Sequence, residues 1–275
     1  MIETNSKWNL VRKILKVVFI VAIFVILYFP ILLIILLSFN ESRTGTSFTG
    51  FTFEWYLDIF KTKSLYTSIL NTLLVAVWST LFAVILGVMA AIGINALSKK
   101  NRKLMNFLNN IPMLNPEVVT GVSLMIMFAV LIPLMPHLFG FWTMLIAHIF
   151  FTTPYVIMNV YPKVRGTDES LFEAAMDLGC SPMKSLIKVV LPSLTTAIVT
   201  GALLAFTLSI DDFVISFFTG GGGFTNFSNW IYARLGKKTF SPAAYAYNAL
   251  ITIVVISGVI LVTLKRDKKK KKVSK

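Results

Sequence analysis

The sequence predicts an all-α integral membrane protein: six transmembrane helices, with a two-helix cytoplasmic loop between the fourth and the fifth. Three observations carry this. Of 275 residues, 56% are hydrophobic and 14% charged, with a mean hydropathy of +0.78, whereas a soluble domain carries about 25% charged residues. Uncharged runs such as Val17–Phe39 exceed the ~20 residues a helix needs to cross the hydrocarbon core. The 26 Lys and Arg, which set a formal net charge of +14, fall between apolar runs and in a terminal block, not beside a nucleic-acid motif. They point to membrane topology and away from nucleic acid as a partner. The single cysteine, Cys180, excludes a disulfide framework or a Cys-rich metal site.

Residues 1–16 form a polar, basic arm with Lys7, Arg12, Lys13 and Lys16, and the first span covers 17–39. It is too long for a signal peptide and no small-residue cleavage site follows, so it is expected to be retained. Phe51, Phe53, Trp55 and Tyr56 have the character of an aromatic belt at the membrane surface; Trp55 can also hold a cation against its ring face. The second span, 69–97, carries Ser79, Ala83, Gly87 and Ala91 at every fourth position, a smooth stripe for close helix packing in lipid.

Lys99, Lys100, Arg102 and Lys103 read as a short basic loop. Asn115, Pro116 and Glu117 then carry the cap, first-position proline and first-turn acid of a helix N-terminus, opening a third span at 118–135 that Pro133 and Pro136 bound. Glu117 thus has a structural reason to exist, with a substrate contact as the alternative. The fourth span, 141–161, contains His148 and Pro154; a lone histidine in a membrane usually meets its polarity against a neighbouring helix. The fifth span, 193–218, leads through an outer loop at 219–245, with Gly220 to Gly223, to the sixth at 246–264 and a basic tail at 265–275.

Six spans place both termini on one side. Counting Lys and Arg gives 20 on the side of the termini and 6 on the other, so the positive-inside rule puts both termini in the cytoplasm.

No enzyme chemistry is legible. Gly236-Lys237-Lys238-Thr239 lacks the spacing of a phosphate loop, and no Ser/His/Asp set, H-E-x-x-H or paired-acid hydrolase site occurs. Any energy from ATP must come from another chain. What stands out is Asp211-Asp212 in TLSIDDFVISFF. Read as continuous helix, the pair lies about 12 Å from the outer end, against a half-thickness of about 15 Å. An acid there costs roughly 2.5 to 3.5 kcal/mol on insertion scales, so it is expected to face a pathway or a cation. On a helical wheel Asp212 shares a face with Ala205, Ser209 and Ser216, while Asp211 lies about 100° away near Thr207. Interhelical hydrogen bonding is the alternative reading of both acids.

The polar loop at 163–192 reads as two helices. Asp168 is a cap, Glu169 adds first-turn charge, and Leu171, Ala174, Ala175 and Leu178 make an apolar stripe that Gly179 ends. Ser181 and Pro182 start a second helix, and Pro192 marks the start of the fifth span. A hairpin lying on lipid and a docking element for a soluble partner both fit these residues.

The segment resembles the EAA motif of permease subunits in binding-protein-dependent ABC importers, E-A-A-x3-G-x9-I-x-L-P. Glu173, Ala174, Ala175, Gly179, Leu191 and Pro192 match, and Val189 takes the Ile position. FNESRTGTSFTGFTFEWY, NPEVVTGVSL and FTLSIDDFVISFF extend the resemblance, to polyamine-importing members. It implies a MetI-like permease fold in a bacterial cytoplasmic membrane. The implied partners are a second homologous permease, an ATPase dimer holding ATP and Mg, and an extracytoplasmic polyamine-binding protein; no cofactor or metal belongs to this chain. The residues themselves point to a substrate pathway at Asp211 and Asp212, with Ser209, Glu117 and Trp55 ranked below them, and the resemblance implies ATPase coupling at the EAA residues. The residues alone leave open the same machinery with ferric iron, an amino acid or an anion, and a secondary cation transporter or channel built on Asp211 and Asp212.

Overall fold

A computed structural model describes residues 3–42, 47–131, 133, 139–168, 170–221, 223–235 and 241–273, with the backbone alone for 3–7 and 265–273. Pro136, Glu169 and the Gly236–Thr239 run, each singled out above, lie outside the described residues. Among these residues the chain is helical, with a lone antiparallel bridge between Asn40 and Phe51. Among the described residues five helices are long and apolar enough to span a membrane, and the bent pair Lys99–Leu114 with Glu117–Leu131 makes a sixth if it is one span. The chain divides into two compact units, Met1–Lys63 with Gly236–Val254, and Ser64–Leu235 with Val255–Lys275.

In the first unit α1, Glu3–Leu37, is apolar and exposed almost all round, as expected of a helix whose surroundings are not water. Asn40 organises the turn that follows. Its side-chain amide donates to Ser47 O and its Oδ1 accepts the N–H groups of Ser42 and Thr49, while its own carbonyl accepts the Trp55 indole N–H at 2.6 Å. Trp55 opens α2, Glu54–Lys61, as a buried anchor. Phe39 stacks on Phe51, Phe53 meets both edge-on, and Tyr56 is tilted against Phe39.

The second unit is built on α3, Lys63–Ala96, α6, Phe141–Arg165, and α9, Leu191–Asp211. Ser79, Ala83, Gly87 and Ala91 are all buried. Their small side chains let α3 approach closely: a Cβ at Gly87 would stand 2.7 Å from Val156 of α6. Ala83, Ala91, Val156, Val160, Leu194 and Ala205 form the resulting core.

The basic segment expected as a loop is instead a helix, α4, Lys99–Leu114. No helix breaker precedes Pro112, and the Arg102 guanidinium reaches back to the carbonyls of Asn95 and Leu97 at the end of α3, which lack helical partners there. Asn115, extended at ψ 137°, closes α4, and α5, Glu117–Leu131, leaves at 97° to it. Pro116 dictates the bend, because a residue before proline is driven out of helical conformation.

Candidate functional site

The two halves of the loop differ from the sequence expectation in one respect. Helix α7, Ser170–Asp177, begins where Asp168 Oδ1 accepts the Ser170 N–H at 3.0 Å, a bond that holds the Asp168 carboxyl below its usual range. It ends at Gly179, whose φ of +83° permits Cys180 N–H to bond Ala175 O and Gly179 N–H to bond Met176 O, the left-handed helix stop that only glycine adopts without strain. Helix α8, Pro182–Ser185, follows with Ser181 and Pro182 at its start. No break occurs at Pro192, however: α8 and α9 are joined by a π turn, Leu186–Val190, into one helix from Pro182 to Asp211. Pro192 has no N–H to offer the Lys188 carbonyl, so the preceding turn widens and Leu191 N–H reaches Leu186 O instead. Glu173, Ala174 and Gly179 are exposed, Ala175 is buried, Leu191 is half-buried and Pro192 is exposed. Leu178 is 87% and Met183 65% exposed, so the knob's surface is apolar at its tip.

At the other end the fifth span breaks, where the sequence suggests a continuous helix over 193–218. Helix α9 stops at Asp211, Asp212 is extended at ψ 127°, and a new short helix, α10, Val214–Thr219, starts. The depth reckoned along a straight helix therefore does not hold beyond Asp211. Asp212 acts as the cap of α10: Oδ1 accepts the Ile215 N–H at 3.2 Å and Oδ2 the Ser216 N–H at 2.7 Å. An acid followed by the apolar run Val214–Thr219 is itself a start signal, concealed by apolar residues on both sides.

Around Asp212 the polar groups close on one another. His148 of α6, 1% exposed, places Nδ1 2.6 Å from Ser209 Oγ, and Nε2 2.9 Å from Ser216 Oγ and 3.4 Å from Asp212 Oδ2. Ser209 also meets Ser79 Oγ at 3.0 Å, which ties α3 to the cluster. Asn226 donates to the Asp212 carbonyl and with its Oδ1 caps α11, Phe227–Tyr232. The shared face of Ala205, Ser209, Asp212 and Ser216 is thus an interior one, buried throughout. Asp211 is different: it is exposed, and among the described residues its carboxylate has no hydrogen-bond or ion-pair partner. Glu117 is exposed in the first turn of α5, and Trp55 belongs to the other compact unit. Glu117 does not join the cluster. His148 meets its polarity against neighbouring helices, as expected of a lone histidine in a span, whereas Ser79 enters the sequence reading only through the packing stripe and Asn226 carries no signal there. Among the described residues no group of His, Cys, Asp and Glu is placed to hold a metal.

Apolar helices packed through small residues, a span broken at a buried acid and an exposed two-helix loop are the features of a multi-pass membrane permease. The chain belongs to the family of inner membrane components of binding-protein-dependent transport systems, whose pattern matches residues 83–268. It is similar to the spermidine/putrescine transport system permease protein PotC of Escherichia coli K12, with 34% identity over 265 residues, 95% of this chain and 97% of that one. The putrescine transport system permease protein PotI of the same organism is 32% identical over 248 residues, 89% of this chain and 87% of its own. Among solved structures, a bacterial ABC transporter involved in import of the acidic polysaccharide alginate shares the fold, with a TM-score of 0.68 at 16% identity and 96% of both chains covered.

Proposed function

We propose that this chain is a permease subunit of an ATP-driven importer that moves polyamines, spermidine or putrescine, across the cytoplasmic membrane by alternating access. The observation that carries the reading is the similarity to polyamine permeases over nearly the whole chain, joined to an exposed carboxylate, Asp211, at the break of the fifth span. A polyamine is a flexible polycation, and carboxylates at membrane depth are costly unless they meet such a charge. Asp211, exposed at the break, is the centre of the pathway, with Glu117, exposed on α5, as a further contact, while Asp212 and Ser209 are buried beside it and hold the break in shape. The termini lie in the cytoplasm. There the knob, through Glu173, Ala174, Ala175, Gly179, Leu191 and Pro192, couples to an ATPase dimer that binds ATP and Mg. A second homologous permease and an extracytoplasmic polyamine-binding protein complete the assembly.

The test is radiolabelled spermidine and putrescine uptake in a polyamine-uptake-deficient bacterium given this chain with its genomic neighbours. Uptake is expected, and Asp211→Asn with Asp212→Asn should lower it by about two orders of magnitude while the complex still purifies intact. Absence of uptake, or uptake unchanged in the double variant, overturns the reading.

A further inference from the structure

We propose that His148 is a positioning residue for transport: through Asp212 it latches the break of the fifth span, which dedicates Asp212 to structure and leaves Asp211 as the carboxylate that meets the substrate cation. The identity of that cation rests on the polyamine reading above; the latch does not.

The two acids differ in what each has left to offer. Both oxygens of Asp212 are occupied by the first amides of α10, Ile215 and Ser216, and its backbone carbonyl by Asn226. A carboxylate accepts but does not donate, so the ring proton of His148 belongs on Nε2, facing Oδ2 at 3.4 Å and Ser216 Oγ at 2.9 Å. Nδ1 then accepts from Ser209 Oγ at 2.6 Å. In that arrangement one imidazole joins three pieces of backbone: α6, which carries it, the end of α9 through Ser209, and the start of α10 through Ser216 and Asp212. Asp212 is 8% exposed, so it presents almost no surface to an incoming cation. Asp211, one residue earlier, is exposed, and its carboxylate has no hydrogen-bond or ion-pair partner among the described residues. A break that must hold its shape while its neighbouring acid binds and releases a charge needs a partner of this kind, because loosening either side moves the Asp211 backbone.

The latch is read by hydrogen exchange, resolved by peptide, in the full chain in lipid nanodiscs. In His148→Ala the amides of 215 and 216 should exchange roughly tenfold faster, the equivalent of one hydrogen bond to a charged group, with the middle of α9 unchanged. His148→Gln places an amide N–H near the Nε2 position and should restore the protection. His148→Asn, whose amide falls near Nδ1, should not. Wild-type exchange in His148→Ala, or equal rescue by Asn and Gln, overturns the latch. Uptake measured in parallel should follow the same order, wild type and Gln above Asn and Ala, while Asp211→Asn should abolish uptake with α10 exchange unchanged. Uptake lost equally in Gln and Ala, or α10 loosened by Asp211→Asn, also overturns the proposal. A chain that carries no polyamine yet shows the His148 exchange pattern would sink the substrate reading and leave the latch standing.

Discussion

The helix from Pro182 to Asp211 is irregular at both ends, through a π turn beside the knob and through a break at Asp212. At the break, Asp212, Ser209, Ser216, His148 and Asn226 are buried and bonded to one another. At the knob Glu173, Ala174, Leu178 and Gly179 are exposed. The difference follows from solvent. A polar group inside a membrane protein finds no water and must be satisfied by other parts of the chain, so the break is self-contained. A loop in water can leave apolar side chains facing outward, and a rigid, partly apolar tip is what a docking surface for another protein looks like. One end of the helix is finished within the chain, and the other leaves an exposed, partly apolar surface.

The sharpest way to break that comparison is to add a single methyl group at each end. A Cβ on Gly220, which follows α10, would stand 2.8 Å from Phe224 O and 2.9 Å from Ser216 O, both backbone atoms. Gly220→Ala should therefore cost about 3 kcal/mol, the upper end for overpacking, visible as a lowered thermal midpoint of the purified protein. At the knob, Glu173→Lys should leave that midpoint in place and weaken co-purification of the ATPase about tenfold, worth ~1.4 kcal/mol. A mutant that keeps full ATPase coupling would show the knob is not the docking surface. Gly179→Ala meets no atom within 4 Å and costs only the left-handed backbone, about 1 kcal/mol. Should it match Gly220→Ala, the two ends are not built differently. The smallest effect is expected from Ser79→Ala, about 0.5 to 1 kcal/mol for one hydrogen bond, with hydrogen exchange in α10 unaffected because Ser209 still reaches His148.

Much of this was legible in the residues. The stripe at Ser79, Ala83, Gly87 and Ala91 is buried as its spacing requires, and Gly179, Ser181 and Pro182 sit at a helix stop and start. Those features depend on backbone chemistry local to a few residues. Where local signals compete, charge and proline alone do not set the boundary. The cluster Lys99 to Lys103 suggested a loop by charge, yet it forms α4, which Arg102 secures by bonding carbonyls of the preceding helix. Pro192 suggested a boundary, yet a π turn absorbs it.

By itself the sequence determined the membrane class, the two-helix loop and the pair of acids in the fifth span, because hydrophobicity, turn chemistry and charge bias act along the chain. Which of the two acids is used internally was decided only by tertiary structure. The partners of Asp212 include a histidine on α6, and Ser209 meets both that histidine, 61 residues away in the chain, and Ser79, 130 residues away. No periodicity within α9 encodes contacts between helices. They appear only once small residues have let α3, α6 and α9 approach closely enough for short side chains to reach one another.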